Sequence, residues 1–401
     1  MDIKLKTSQL LLLKLSSGCG DAKLHAVAEI RLFCKWDDAN RTSLAKAGAV
    51  TLLFKMLEDT DIDTRVQENA MAALLNMSIN AHVKMLMARE PEGLDIVMEI
   101  ASKGRTAELK ASAAALLYSL LVDDGVRQIV CRNEMLEETL VALLKDGSAK
   151  CKAEALKALF VLAKVEQMRE NLLQEKHGLL GLLISLLTVG KVKLTEDCLA
   201  VLALLVSCIA GAKVLMQVPS AMPILVYLVN SGSPRAQENA TAVLLGMCQH
   251  NEGAKQAMPM QTLIPALNSL SMGESERGKD KAEALLGLLG SDGLSSIAGD
   301  HPNSGIAMGD SNSSFGFNYV KGTINSMPFI PTHPALINYS PPRQAKPQLH
   351  SHVDASPSPS PSSASFSNAS WPKPSPKNKY MTLARSLFTS KERKKSHSSI
   401  N

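Results

Sequence analysis

The stretch RVQENAMAALLNM, Arg65 to Met77, returns as RAQENATAVLLGM, Arg235 to Met247, with nine of thirteen positions identical across 170 residues. A chain that spells one segment twice is searched for a fixed period before anything else. With Ala70 as anchor and steps of 42 to 44 residues, the equivalent small residues are Ala26, Ala70, Ala113, Ala155, Cys198, Ala240 and Ala282. Four positions beyond each anchor stand Ile30, Leu74, Leu117, Leu159, Leu202, Leu244 and Leu286; seven positions beyond stand Phe33, Met77, Leu120, Leu162, Leu205, Met247 and Leu289. None of these is polar. Offsets of zero, four and seven fall on one stripe of an α-helix, and a small first member lets a neighbouring helix approach closely. The segment is therefore predicted to be the long inner helix of a repeat, present in seven copies within residues 1–292.

Between the copies a second pattern recurs. NRTSLAKAGAVTLLFKMLEDTD, Asn40 to Asp61, is a short helical stretch, a break at Gly48, and an aliphatic run ending in a turn. Gly93 and Gly178 are expected to mark the same break, because glycine ends a helix by adopting left-handed backbone angles cheaply. Pro219 and Pro223, then Pro259 and Pro265, punctuate the fifth and sixth repeats instead. Each unit reads as three helices in about 42 residues.

Composition agrees with an aliphatic helical core. The 401 residues are 45% apolar but only 4% aromatic, so Leu, Ala, Val and Met must fill the interior. Seven cysteines without a C-x-x-C pair fit neither a disulfide framework nor a zinc site, and an intracellular protein is expected, in cytoplasm, nucleus or both. Met1 is followed by charges rather than a secretory signal. The longest near-apolar run, Cys198 to Ala212, is fifteen residues, short of the ~20 that span a membrane, and reads as a helix buried in protein.

A seam lies near Asp292. Beyond it come 13 of the 19 prolines and long Ser/Asn tracts, so residues 293–401 are expected to be a disordered tail. The tail holds 11 Lys/Arg against 4 Asp/Glu, whereas residues 1–292 hold 32 against 34. The basic balance belongs to the tail, which is expected to favour acidic surfaces. Its Ser-Pro steps at Ser356 to Pro361 are candidate phosphorylation sites, and Lys379 to Lys395 reads as an amphipathic helix ending in a basic nuclear-localisation-like patch.

Two rows of cations accompany the repeat. Five residues before the anchors stand Asp21, Arg65, Glu108, Lys150, Lys193, Arg235 and Arg277, and three residues later come Glu68, Glu196, Glu238 and Asp280. Such a row could form a ridge for acidic partners, but pairing at i,i+3 along the same helix is the expected use of these charges. The other row, Arg41, Lys84, Arg127, Arg169, Lys213 and Lys255, opens each short helix, where the dipole disfavours a cation. These residues are expected to reach back to free carbonyls at the end of the preceding helix.

Catalytic patterns are sparse. Nine histidines include no H-E-x-x-H pair, and no phosphate loop, dinucleotide fingerprint or G-x-S-x-G elbow occurs. Cys151 and Cys198 are expected to be buried structural thiols. No enzyme activity, cofactor or metal is expected, and no nucleic-acid partner.

A period of this size, with a short, a medium and a long helix, resembles the armadillo repeat. AGAV at Ala47 to Val50, QENAMAALLNMSIN at Gln67 to Asn80 and SGSPRAQENATAVLLGM at Ser231 to Met247 look like the armadillo regions of plant U-box proteins. The likeness covers residues 8 to 292. It implies an all-α, right-handed superhelix whose third helices line a concave groove that binds proteins. No U-box is expected, since only seven residues stand before the first repeat. In importin-alpha and beta-catenin the family holds extended peptides through Trp and Asn rows. Six positions beyond the anchors this chain has Leu32, Asn76, Ser119, Val161, Leu204, Gly246 and Leu288, and two positions beyond it has alanine everywhere except Lys157. One Asn in seven makes no ladder, because Leu and Val cannot pair with a peptide backbone. A drier groove that docks a helix or apolar side chains is expected instead. Candidate contact residues beside the apolar stripe are Asn69, Asn76, Ser112, Ser119, Glu154, Lys157 and Asn239. The reading is a protein-interaction scaffold; a substrate-binding part or relative of a U-box ubiquitin ligase and a nuclear-transport-type cargo binder are the alternatives.

Overall fold

The computed structural model describes residues 3–174 and 178–295, with side chains as far as 290, all inside one unit spanning Met1–Pro334. The expectations for the tail, from the Ser-Pro steps to the helix at 379–395, lie outside the described residues. Among the described residues every regular element is an α-helix.

A first layer of two helices, α1 (Ile3–Ser17) and α2 (Asp21–Trp36), is followed by six triplets. They are α3 (Asp38–Lys46), α4 (Ala49–Glu58) and α5 (Thr64–Met77); α6 (Ala81–Arg89), α7 (Gly93–Lys103) and α8 (Ala107–Val122); then α9 (Asp124–Val130), α10 (Leu136–Asp146) and α11 (Ala149–Ala163). The rest are α12 (Glu166–Leu172), α13 (Leu179–Leu187) and α14 (Val192–Leu205); α15 (Ile209–Met216), α16 (Ala221–Ser231) and α17 (Pro234–His250); and α18 (Glu252–Gln256), α19 (Met260–Ser271) and α20 (Glu276–Ser295). The first layer thus departs from the expected three helices, since α1 plays the part of the medium helix and α2 that of the long one.

The long helices pack in succession, α2 on α5, α5 on α8, α8 on α11, α11 on α14, α14 on α17 and α17 on α20. Every anchor from Ala26 to Ala282 is buried. Along the stripes four and seven residues further on, Phe33 and Leu286 are half-buried and the others are buried. The two exceptions sit in the first and last layers, where one flank has no further layer among the described residues. Burial of this kind removes roughly 1.5–3 kcal/mol worth of apolar surface per side chain from water.

Helix ends follow local chemistry. Gly48 and Gly178 take left-handed angles, φ 90° and 56°, and start α4 and α13. The second repeat differs from expectation: Glu92, not Gly93, carries the positive φ of 59°. Gly93 relieves crowding instead, because a Cβ there would stand 3.2 Å from a ring carbon of Phe54 and 3.1 Å from Cβ of Glu90. Pro265 likewise does not break a helix but lies inside α19. It removes the amide that would bond the carbonyl of Gln261, and Gln261 is exposed, so water can take that carbonyl.

Leu159 is wholly buried at the centre of α11. Leu159→Ala is expected to cost about 2–5 kcal/mol, against under about 0.5 kcal/mol for the exposed Leu13→Ala, both read from urea midpoints. Gly48→Ala meets no steric contact, so its expected loss of about 1–2 kcal/mol is purely the cost of left-handed angles; an unchanged midpoint would contradict the assigned backbone.

Candidate functional site

The exposed flank of the long helices is built from small residues. Two positions beyond the anchor, Ala28, Ala72, Ala242 and Ala284 are half-buried, Ala115 and Ala200 are buried, and Lys157 projects between them. Lys157 Nζ lies 2.9 Å from Glu154 Oε1 and 5.7 Å from the centre of the Tyr118 ring. Burial first, and the Glu154 charge second, raise the Tyr118 phenol above its ordinary value. This cluster is a charged feature in a floor otherwise made of methyl groups.

Six positions beyond the anchor, Asn76 is half-buried and its Nδ2 donates to the Arg31 carbonyl at 3.1 Å, which ties α5 to α2. Ser119 is buried and exchanges a 2.8 Å hydrogen bond with Ser78. Gly246 lets α17 approach the Val206 carbonyl, 3.0 Å from where a Cβ would stand. The proposed contact residues therefore divide. Asn69, Asn76, Glu154 and Lys157 retain exposure, whereas Ser112, Ser119 and Asn239 are buried and not presented to a partner. Asn239 is 1% exposed, and its Nδ2 donates to the Glu196 carbonyl of the preceding layer at 3.3 Å. The offset one before the anchor places a side chain against that preceding helix, which spacing along a single helix does not reveal.

The acids of the first cation row also face the next layer rather than their own helix. Glu68 accepts from Thr106 Oγ1 at 2.7 Å, Glu196 from Ser233 Oγ at 2.7 Å, and Glu238 from Ser275 Oγ at 3.2 Å. Each hydroxyl is at once a helix cap, accepting an amide from Leu109, Ala236 or Gly278. One oxygen thus satisfies a free helix amide and donates its proton to a carboxylate one layer back. Lys281, 2% exposed, joins Glu238 at 2.8 Å. The i,i+3 pairing expected for Arg65, Lys193, Arg235 and Arg277 is thereby corrected: Arg65 bonds Asp63 at 2.7 Å, and Lys193 bonds Asp197 at 2.8 Å.

The second cation row divides too. Arg41 donates to the carbonyls of Cys34 at 3.0 Å and Lys35 at 2.8 Å, and Arg127 to that of Leu121 at 3.1 Å, closing the ends of α2 and α8. Arg169 instead reaches Ser207 Oγ at 3.0 Å in the next layer, and Lys255 lies 3.0 Å from Glu252. A third column went unread in the sequence. Three residues before the anchors, Gln67, Lys110, Lys152 and Gln237 donate to terminal carbonyls of α4, α7, α10 and α16. The signal was present as long-chain donors at one offset.

No cluster of His, Cys, Asp and Glu among the described residues has the arrangement of a metal site. Cys34 and Cys198 are buried, and burial pushes both thiols up to about 12. Such thiols ionise too little near neutrality to act as nucleophiles. No single described helix is long and apolar enough to cross a membrane.

A family model described as the plant U-box protein ARM repeat region matches residues 9–293. U-box domain-containing protein 18 of Arabidopsis thaliana is 36% identical over 203 residues, covering 50% of this chain and 28% of that protein. U-box domain-containing protein 1 of Medicago truncatula is 36% identical over 218 residues, covering 54% and 31%. This chain spans less than a third of the curated relatives it matches. Among solved structures, an engineered protein aligns with TM-score 0.62 at 20% identity over 71% of this chain and 68% of its own. A computationally designed armadillo repeat protein for modular peptide recognition aligns with TM-score 0.54 at 21% identity, over 59% and 98%.

Ser233→Ala removes both a cap and the donor to Glu196, so a loss of about 1–2 kcal/mol is expected, with faster amide exchange in the first turn of α17. Glu196→Gln keeps an acceptor and should cost less; equal losses would mean that the carboxylate charge, and not the cap, carries the whole contribution. In native protein at pH 8 an alkylating agent should label exposed Cys19 and spare Cys34 and Cys198. Because the folded thiols hold their protons more tightly, their stabilisation is whole below the ordinary thiol value of 9.0 and is lost as pH climbs toward about 12.

Proposed function

Since the chain belongs to the ARM repeat region family of plant U-box proteins, we propose that it is a non-enzymatic scaffold binding protein partners along the exposed flank of its long helices. The observation that carries this reading is the alanine floor at Ala28, Ala72, Ala242 and Ala284, interrupted by Lys157. Methyl groups in a row accept an apolar or helical surface without demanding hydrogen bonds from it. Asn69, Asn76, Glu154 and Lys157 would supply the polar contacts beside that floor.

An extended peptide held through its backbone is less well served. Asn76 already gives one amide hydrogen to Arg31, and the other residues of its row offer no side-chain amide. A nuclear-transport-type cargo reader, which depends on such rows, is the weaker alternative. The naming of the relatives as U-box domain-containing proteins supports a second reading, in which this chain is the substrate-binding part or a relative of a ubiquitin ligase.

Ala72→Arg and Ala242→Arg place bulk and charge on half-buried floor positions. Proximity labelling in plant cells with the full chain should recover a set of proteins that these variants lose while their helical circular dichroism persists. An identical set from wild type and variants would overturn the groove assignment. With ubiquitin, activating and conjugating enzymes, the chain alone is expected to form no ubiquitin chains above background; robust formation would overturn the scaffold reading in favour of the ligase.

A further inference from the structure

We propose that the starts of the last three long helices form a docking ridge for an extended anionic peptide, with Lys193, Arg235 and Arg277 receiving negative groups three residues apart. The proposal rests on the protein-interaction reading and names the kind of partner.

Each of these cations is the second residue of its helix, α14, α17 or α20. The helix dipole opposes a positive charge there. In the earlier layers the chain offsets that cost with carboxylates: Arg65 has Asp63 at 2.7 Å and Asp21 at 3.9 Å, and Lys150 has Glu108 at 2.6 Å. In the last three layers the compensation weakens: Lys193 keeps one carboxylate, and no described carboxylate is ion-paired with Arg235 or Arg277. Glu196 is committed to Ser233, and Glu238 to Ser275 and Lys281. Glu276 is taken by Lys279, and exposed Asp280, close in sequence to Arg277, makes no ion pair with it. Lys193 holds Asp197 but stays 66% exposed. No ion pair joins Arg235 to a described residue, and its Nε is buried without an acceptor.

Geometry sets the ligand. α14, α17 and α20 pack in succession, and packed helices lie about 8–10 Å apart. A polyproline II chain advances roughly 3.1 Å per residue with three residues per turn, so residues three apart share one face about 9 Å from each other. Acidic or phosphorylated residues at i, i+3 and i+6 therefore meet successive cations, and the two guanidinium groups suit carboxylate and phosphate oxygens alike. At the Lys193 end, Val189 and Val192 are 49% and 60% exposed and offer an apolar seat beside the charged row. Valines do not stack bases, which favours a peptide over a single-stranded nucleic acid.

The test is fluorescence anisotropy of the full chain with three labelled peptides and oligouridylate. One peptide carries glutamates at positions one, four and seven of a Gly/Ser backbone, one carries the same three glutamates side by side, and one carries phosphoserines at the spaced positions. The spaced glutamate or spaced phosphoserine peptide should bind about tenfold tighter than the clustered one, and the better of the two identifies the source of charge. Arg235→Glu with Arg277→Glu should lose about tenfold, while Lys103→Glu, an exposed cation of α7, should not. Equal binding of spaced and clustered peptides, retention by the double variant, or tighter binding of oligouridylate would overturn the ridge. Its failure is distinguishable from failure of the scaffold: partners lost by Ala72→Arg but kept by Arg235→Glu/Arg277→Glu would leave the groove standing without the ridge.

Discussion

Close approach of successive long helices is the constraint on which the remaining structure depends. It requires a side chain no larger than Ala or Cys at each of the seven anchors, all of them buried. A larger residue there would push two layers apart and open the Leu and Met stripes on both to water. Because each layer contacts its neighbours, the stability of such an array is a sum of layer and interface terms rather than of one central core. An aliphatic, nearly ring-free composition follows, since thin layers packed at helix-to-helix distance leave little room for large planar side chains.

Apolar stacking alone does not fix register, because a slide of one turn along the helix axis still buries leucine on leucine. The directional contacts between layers supply that specification. Thr106, Ser233 and Ser275 cap their own helices while donating to Glu68, Glu196 and Glu238 of the layer before. Gln67 and Gln237 close the carbonyl ends of α4 and α16 within a layer. The Thr106, Ser233 and Ser275 contacts join one layer to the next, and a displaced layer would leave such donors and acceptors unmet at roughly 1–3 kcal/mol for each one buried.

The anchors, the stripes and the three-helix unit were legible because each is local to one helix or repeats at a fixed interval. What escaped was whatever depends on a neighbour about forty residues away. Glu238 reads as the partner of Arg235 when the helix is drawn alone, yet its oxygens meet Ser275 and Lys281. Asn239 and Ser119 look like groove residues for the same reason and are buried against the preceding layer. Glu92 taking the left-handed turn in place of Gly93 is a different kind of miss. The ring of Phe54 crowds any Cβ at position 93, and the left-handed angles stand at Glu92.

Any charge-based recognition by residues 1–292 would rest on placement of charge rather than on its amount. Residues 1–292 carry 32 Lys/Arg against 34 Asp/Glu, so no long-range field distinguishes one partner from another. The screening length at physiological salt, about 8 Å, is close to the 8–10 Å between packed helices. A cation on one layer is therefore partly screened from the next, and a ligand charge responds chiefly to the layer it touches. On the proposed ridge, selectivity would follow from how many successive layers a ligand can match, with acids committed inward in some layers and cations left outward in others.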